Sequence, residues 1–247
     1  MKAFGVLVIH GITANPETVR EMEAPMKSLG LPVHIPVLSG HGADSPEKLR
    51  GVTWHEWISD AESALKDLLT EAEKAIIIGH SMGGLIAILL AAEHGSLIDS
   101  IILAGAAVQP ASPLAPGKPL SFLAPVVGRL FKKWNFPPLY ADPECARDHP
   151  NYLWAPMESV LTLLDLTRTA RRRLADVLMP VLILQGRKDT RVAPESAEII
   201  FSGVSTPEKN KRIVWFEKTD HEMFLDCERK LVAEVITKYV QERIGSG

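Results

Sequence analysis

Three side chains suited to one another stand far apart in this 247-residue chain: Ser81, Asp189 and His221. Ser81 is the centre of Gly79-His80-Ser81-Met82-Gly83, which fits the pattern Gly-x-Ser-x-Gly. A serine hydroxyl is a poor nucleophile until a base takes its proton, so a working Ser81 requires an imidazole and an acid to orient it. In the order serine, acid, histidine, the candidates are Asp189 in QGRKDTRVAP and His221 in EKTDHEMF. Two rival acids remain: Glu195, expected in the first turn of the next helix, and Asp220, whose side chain should point away from that of its neighbour His221. Such a trio would attack a carbonyl carbon and pass the acyl group to water. The oxyanion formed on the way needs N–H donors. Met82, next after the nucleophile, is expected to supply one, and Ile12 in the loop His10-Gly11-Ile12-Thr13 is the candidate for the other, with Gly11 letting backbone approach the substrate; the alternative is that this loop is merely a glycine turn.

The pentapeptide alone is weak, since background frequencies produce it in about one chain in ten of this length. Its flanks strengthen it. AIIIG reads as a buried strand before it, and LIAILLAAEHG as a buried helix after it. A turn this tight forces strain on its central residue and leaves no room for a Cβ at the flanking glycines. Residues 75–92 carry no formal charge and are long enough to span a bilayer, but three glycines, His80 and Ser81 interrupt them where a membrane is driest.

The same grammar recurs, with short apolar runs that do not alternate, each followed by a turn and a helical pattern. Strands are expected at 4–9, 33–37, 75–79, 100–105, 180–185 and 211–216. Runs apolar on both faces belong to a parallel sheet covered on both sides, so the fold class is α/β, a mostly parallel central sheet flanked by helices. Helices are expected over 16–29, with Asn15 and Pro16 at its start, Pro25 as a kink and Gly30 as its stop, over 53–73 with Thr53 as N-cap, over 157–177, and over 224–244 at the end.

About 75 residues separate the fourth strand from the fifth. The segment 157–177 reads as an ordinary covering helix, so a proline-rich insertion at about 109–156 forms a small cap on a single domain spanning 1–247. In it Phe122, Leu123, Val126, Val127, Leu130, Phe131 and Trp134 recur at helical spacing opposite Arg129, Lys132 and Lys133. That stripe would line an acyl channel or pack the cap onto the domain, and the basic amphipathic segment suits transient contact with a lipid surface.

Composition excludes several classes. A net charge of −3 offers no basic excess for nucleic acid. Two distant cysteines, Cys145 and Cys227, suggest neither disulfides nor a redox pair and fit a reducing cytoplasm. The start, MKAFGVLVIHG, reads as a strand rather than a signal peptide. None of the eight histidines forms an HxH or HExxH pattern, so no metal and no cofactor is expected. His10 and His41 beside glycines read as buried hydrogen-bonding residues, His34, His55, His94 and His149 as surface or core, and Arg171 to Arg173 as a solvated face.

VLVIHGIT, LSGHGADS, GHSMGG, Asp189 to Pro194 and His221, spread over residues 6–221, resemble the α/β-hydrolase fold and, within it, the compact bacterial carboxylesterases and monoacylglycerol lipases. The resemblance implies Ser81 as nucleophile, Asp189 as orienting acid, His221 as general base, Ile12 and Met82 as oxyanion donors, and a small-molecule acyl ester as substrate. One departure concerns the alcohol. Bacterial monoacylglycerol lipases carry a Glu just before a cap-end proline for the glycerol hydroxyls, and that place before Pro156 holds Leu153 or Trp154 here. The same fold also serves thioester and carbon–carbon cleavage, or ligand binding without turnover.

Overall fold

A computed structural model describes residues 2–146 and 149–245. Six parallel strands form one sheet: β1 (Lys2–Ile9), β2 (Val33–His34), β3 (Ala72–His80), β4 (Ile98–Ala104), β7 (Val181–Gly186) and β8 (Lys211–Phe216), in the order β2-β1-β3-β4-β7-β8. All six expected strands form, and β2 is cut to two residues by Pro36 just beyond it at the sheet's edge. Seven helices accompany the strands among the described residues: α1 (Glu23–Ser28), α2 (Trp54–Leu68), α3 (Met82–His94), α4 (Ala124–Leu130), α5 (Met157–Arg172), α6 (Glu195–Gly203) and α7 (Arg229–Gly245).

The apolar runs lack alternation because both sheet faces are covered. In β3, Ala75 and Ile77 pack with side chains of α2, α3 and α5, whereas Ile76 and Ile78 pack on the opposite face with those of α1 and α7. Burying one such Ile or Leu contributes roughly 1.5–3 kcal/mol. β3 pairs with β1 and β4 on its two sides, with Ile9 opposite Gly79 and His80 opposite Ala104, so the loops after these strands emerge together at the carboxyl edge.

Helix ends differ from expectation for identifiable reasons. The segment 16–29 is not one helix. Asn15 caps it by accepting Glu17 N–H at 2.9 Å, but Pro16–Met22 winds as a 3₁₀ helix and α1 begins only at Glu23. Pro25 then falls in the first turn, where its missing N–H costs nothing, instead of kinking a longer helix. Gly30 ends the segment at φ +75°. Thr53 and Glu56 form a capping box on α2, which stops at Leu68 because Ala72 and Lys74 join β3 opposite Lys2 and Phe4. The last helix starts at Arg229, five residues later than expected. Residues 224–228 instead make a compact turn in which Asp226 and Glu228 accept backbone N–H groups of the preceding loop.

Between β4 and α5, two short strands, β5 (Lys133–Asn135) and β6 (Trp154–Pro156), pair antiparallel and close the insertion on itself. At three residues each they show no readable period.

Candidate active site

Ser81 sits between β3 and α3 at φ 55° and ψ −113°, a region side chains rarely occupy. A Cβ on Gly79 would lie 2.3 Å from the Gly83 carbonyl oxygen, and one on Gly83 would lie 2.2 Å from that of Ile9, so neither position admits any other residue without moving backbone. The elbow is held from both sides. Ser81 N–H donates to the Ala104 carbonyl at 3.0 Å, and the Ser81 carbonyl accepts from Gly84 at 3.1 Å and Ala107 at 3.2 Å.

The loops after β7 and β8 bring the other two predicted residues to this point. Ser81 Oγ donates to His221 Nε2 at 2.9 Å, and His221 Nδ1 donates to Asp189 Oδ2 at 3.0 Å. Asp189 Oδ1 accepts the N–H groups of Val192 at 2.8 Å and Arg191 at 3.0 Å, and Gln185 donates to Oδ2 at 3.1 Å. Of the rival acids, Glu195 is exposed at the start of α6. Asp220 points away from the imidazole and accepts Thr190 N–H at 3.0 Å and His221 N–H at 2.8 Å, which fastens the acid loop to the histidine loop.

Burial is the largest influence on both partners and disfavours their charged forms, but mutual attraction outweighs it. The Asp189 carboxyl is held below the usual aspartate range by the charge and hydrogen bond of His221 and by its two backbone donors. Burial pulls the His221 imidazole down, yet Asp189, with a smaller contribution from Glu222 and against Arg191, leaves it above 6.5. His80 behaves oppositely: burial first, then the neighbouring His221, depress it to about 3, and its neutral ring donates from Nε2 to the His221 carbonyl at 2.9 Å. His10 and His41 are buried, as expected, at about 4 and about 3.

Gly11 serves close packing, since a Cβ there would meet the Ser81 Cβ at 3.1 Å. Ile12, the next residue, borders two recesses that share Ser81. Met82 opens α3, whose first backbone N–H groups have no intrahelical acceptor.

The larger recess is an apolar cavity of about 380 Å³. Its walls come from α5, through Met157, Val160, Leu161, Leu163 and Leu164, and from the loop after β4. This corrects the sequence reading in two respects. The helix at 157 is a wall of the cavity, not an ordinary cover, a role hinted at by its apolar positions three and four apart directly after the insertion. Of the six cap residues expected at the site, only Trp134 lines the cavity. Phe122 (72% exposed), Leu130 (73%) and Phe131 (58%) face solvent, and Leu123 and Val127 are half-buried away from it. The helical spacing fails because α4 is only seven residues long, begins with Pro125 in its first turn after a 3₁₀ turn, and gives way to extended backbone at Phe131. Its one cavity residue is Ala124. Of Arg171 to Arg173, Arg172 is exposed as expected, whereas Arg171 is half-buried and donates to Gln109 Oε1 at 2.5 Å, which ties α5 to the loop after β4.

The smaller recess, about 10 Å³, shares Ile12 and Ser81 with the larger and is polar. His149, Asn151, Arg191 and Glu222 border it, none of which the sequence singled out as site residues. Asn151 donates to Glu222 at 3.3 Å, while its own Oδ1 is buried without a hydrogen-bond partner. Leu153 is 57% exposed, and Trp154 lies under the Lys133 ammonium, 3.7 Å from the ring centre; neither borders a recess at Ser81. Among the described residues no group of three or more His, Cys, Asp or Glu is arranged to hold a metal ion, and no helix is long and apolar enough to cross a membrane.

A family model described as "Serine aminopeptidase, S33" matches residues 3–228. The chain is 27% identical to a thermostable monoacylglycerol lipase of a Bacillus species, over 98% of this chain and 92% of that protein. It is 26% identical to a carboxylesterase of Bacillus subtilis over 96% and 92% of the two chains. Among solved structures, one from the work on LipS and LipT, two metagenome-derived lipolytic enzymes, superposes with a TM-score of 0.84 at 25% identity, covering 98% and 94%.

Proposed function

The chain belongs to the serine aminopeptidase S33 family and has the α/β-hydrolase fold, and from that premise we propose that it is a serine carboxylester hydrolase of the esterase and lipase type. The observation that carries this reading is the unbroken line Ser81–His221–Asp189, with links of 2.9 and 3.0 Å, whose Ser81 borders an apolar cavity. The ester-hydrolysing relatives support it.

In this reading His221 Nε2 takes the Ser81 proton as Oγ attacks the ester carbonyl. Electron density passes to the carbonyl oxygen, which the N–H groups of Ile12 and Met82 receive. Collapse breaks the bond to the alkoxy oxygen, and His221 returns the proton to the departing alcohol. Water, deprotonated by His221, then attacks the acyl-serine; the acyl–Oγ bond breaks, the acid leaves and His221 returns the proton to Ser81 Oγ, with Asp189 holding the imidazole's tautomer throughout. The acyl chain occupies the cavity against α5 and suits medium-chain or longer acyl groups, including those of monoacylglycerols. The alcohol leaves past Asn151 and Glu222. Residues 109–156 act as the cap of a single domain. Two free cysteines support placing the protein in a reducing cytoplasm.

Replacing Ser81 with Ala is the direct test. We expect hydrolysis of 4-nitrophenyl esters to fall by at least about 10³-fold with unchanged circular dichroism, and a fluorophosphonate to label the wild-type serine alone. Undiminished turnover would refute the assignment. A faster rate on acyl-CoA than on glycerol esters would move the substrate to thioesters.

The cap also supports transient contact with an anionic lipid surface. Residues 109–141 contain four basic side chains, Lys118, Arg129, Lys132 and Lys133, and no acidic one, and Leu120, Phe122, Val126, Leu130 and Phe131 are exposed among them. Sedimentation with phosphatidylglycerol vesicles should pull down the wild type and leave a Phe122→Ser, Leu130→Ser variant in the supernatant, with kcat on a soluble ester preserved. Equal sedimentation of the two would exclude this face.

A further inference from the structure

Asp226 lies five residues beyond His221, and its side chain is fully buried. Its hydrogen bonds run to four backbone N–H groups from two different parts of the molecule. Oδ2 accepts from Asp220 at 2.9 Å and Oδ1 from Cys227 at 2.8 Å, both in the loop that carries His221. The same Oδ2 accepts from Ala141 at 2.8 Å, and Oδ1 from Asp142 at 3.3 Å, both in the insertion. Asp220, held in this way, passes the constraint on. Its Oδ1 accepts His221 N–H at 2.8 Å and the N–H of Thr190, adjacent to Asp189, at 3.0 Å.

Two carboxylates in series therefore connect the insertion to both partners of Ser81. We infer that Asp226 and Asp220 form a positioning relay through which seating of residues 141–142 of the insertion fixes the alignment of His221 with Asp189 and Ser81. A carboxylate suits this place because it can accept from four N–H groups at once, whereas an amide of the same shape turns its NH₂ toward one oxygen's pair of donors and so loses one contact to the His221 loop and one to the insertion. The neighbouring turn uses the same device, as Glu228 Oε2 accepts Lys218 N–H at 2.8 Å and Thr219 Oγ at 2.7 Å. The relay rests on the reading of Ser81 as nucleophile. That premise is checked separately by fluorophosphonate labelling of the wild type, which also counts active sites in each variant.

The test compares Asp226→Asn, which disturbs both sides of the relay, with Ala141→Pro, which removes only the shorter of the two N–H contacts on the insertion side. With 4-nitrophenyl butyrate, Asp226→Asn should lower kcat per labelled site by about tenfold or more while KM changes less, since a displacement near 1 Å suffices for such losses. The acid limb of its pH–rate profile should also move to lower pH. An imidazole drawn away from Asp189 loses the main attraction that raises it, leaving burial and Arg191 to lower it against the smaller pull of Glu222; His80, the other titratable ring facing it, is neutral. Ala141→Pro should change both quantities in the same direction by a smaller amount. A merely structural role predicts lower thermal stability with kcat per labelled site kept within about twofold and the acid limb unmoved, and that result in Asp226→Asn would overturn the relay. So would an Ala141→Pro enzyme indistinguishable from wild type in both measurements. If Asp226→Asn fails to fold, Ala141→Pro decides alone.

Discussion

His221 is the residue at which charge and function meet. Burial favours its neutral form, Asp189 favours the cation, and the second prevails enough to lift the imidazole above 6.5. Only the neutral ring can take the Ser81 proton. Activity should therefore be complete above the His221 pKa and be lost as pH falls through it, with a midpoint of log(kcat/KM) above 6.5. Asp189→Asn removes the attraction that raises the imidazole, so its midpoint should move down and its rate fall by about 10³ to 10⁴. A profile flat from about pH 5 to 9 would contradict the role given to His221. The serine's own position depends on two glycines for a steric reason that a single residue pattern conveys well, because the contacts at 2.2 and 2.3 Å involve backbone only.

At the scale of elements, α5 forms a wall of the cavity beside Ser81. It presents Met157, Val160, Leu161 and Leu164 to the cavity, three and four residues apart, while its other face packs into the main core through Leu166 and Ala170. Val160 is only partly buried and borders the cavity, so Val160→Trp should fill volume there with little disturbance of the core behind. We expect the ratio of dodecanoate to butyrate ester hydrolysis to fall by about tenfold or more, a loss on the order of 1.4 kcal/mol specific to the long chain. An unchanged ratio would mean that the acyl chain lies elsewhere. The exposed outer face of α4 belongs instead with the lipid-contact test, because the helix is too short to present one stripe to the interior.

The whole molecule has a built-in sensitivity to acid. His10, His41 and His80 are buried and depressed to about 4, about 3 and about 3, burial being the first cause in each. In the unfolded chain they take protons at about 6.5, so between that value and the folded ones the unfolded state binds more protons. The stability they contribute is fully present above about 6.5 and is lost as pH falls, by about 1.4 kcal/mol per histidine per pH unit in the limit. Urea unfolding at pH 7, 6 and 5 should show a midpoint declining with pH, and His41→Gln should decline less steeply. Equal slopes would remove His41 from this account.

The chain alone determined what depends on local pattern. Buried strands covered on both faces announce themselves as unbroken apolar runs, and all six were placed from them. Ser81, Asp189 and His221 could be picked out because a tight elbow needs its glycines and because each partner follows a strand, and parallel strands deliver their ends to one edge. Tertiary structure decided what depends on segments meeting. Whether a half-apolar helix lines a cavity or covers the domain is set by its neighbour, and a short amphipathic stretch cannot reveal which face turns inward when it is half helix and half extended. The polar recess assembles residues 149, 151, 191 and 222 from three loops, and the Asp226 carboxylate serves backbone groups about 85 residues away. Backbone N–H donors look alike in every sequence, so only folding selects which of them a buried acid will hold.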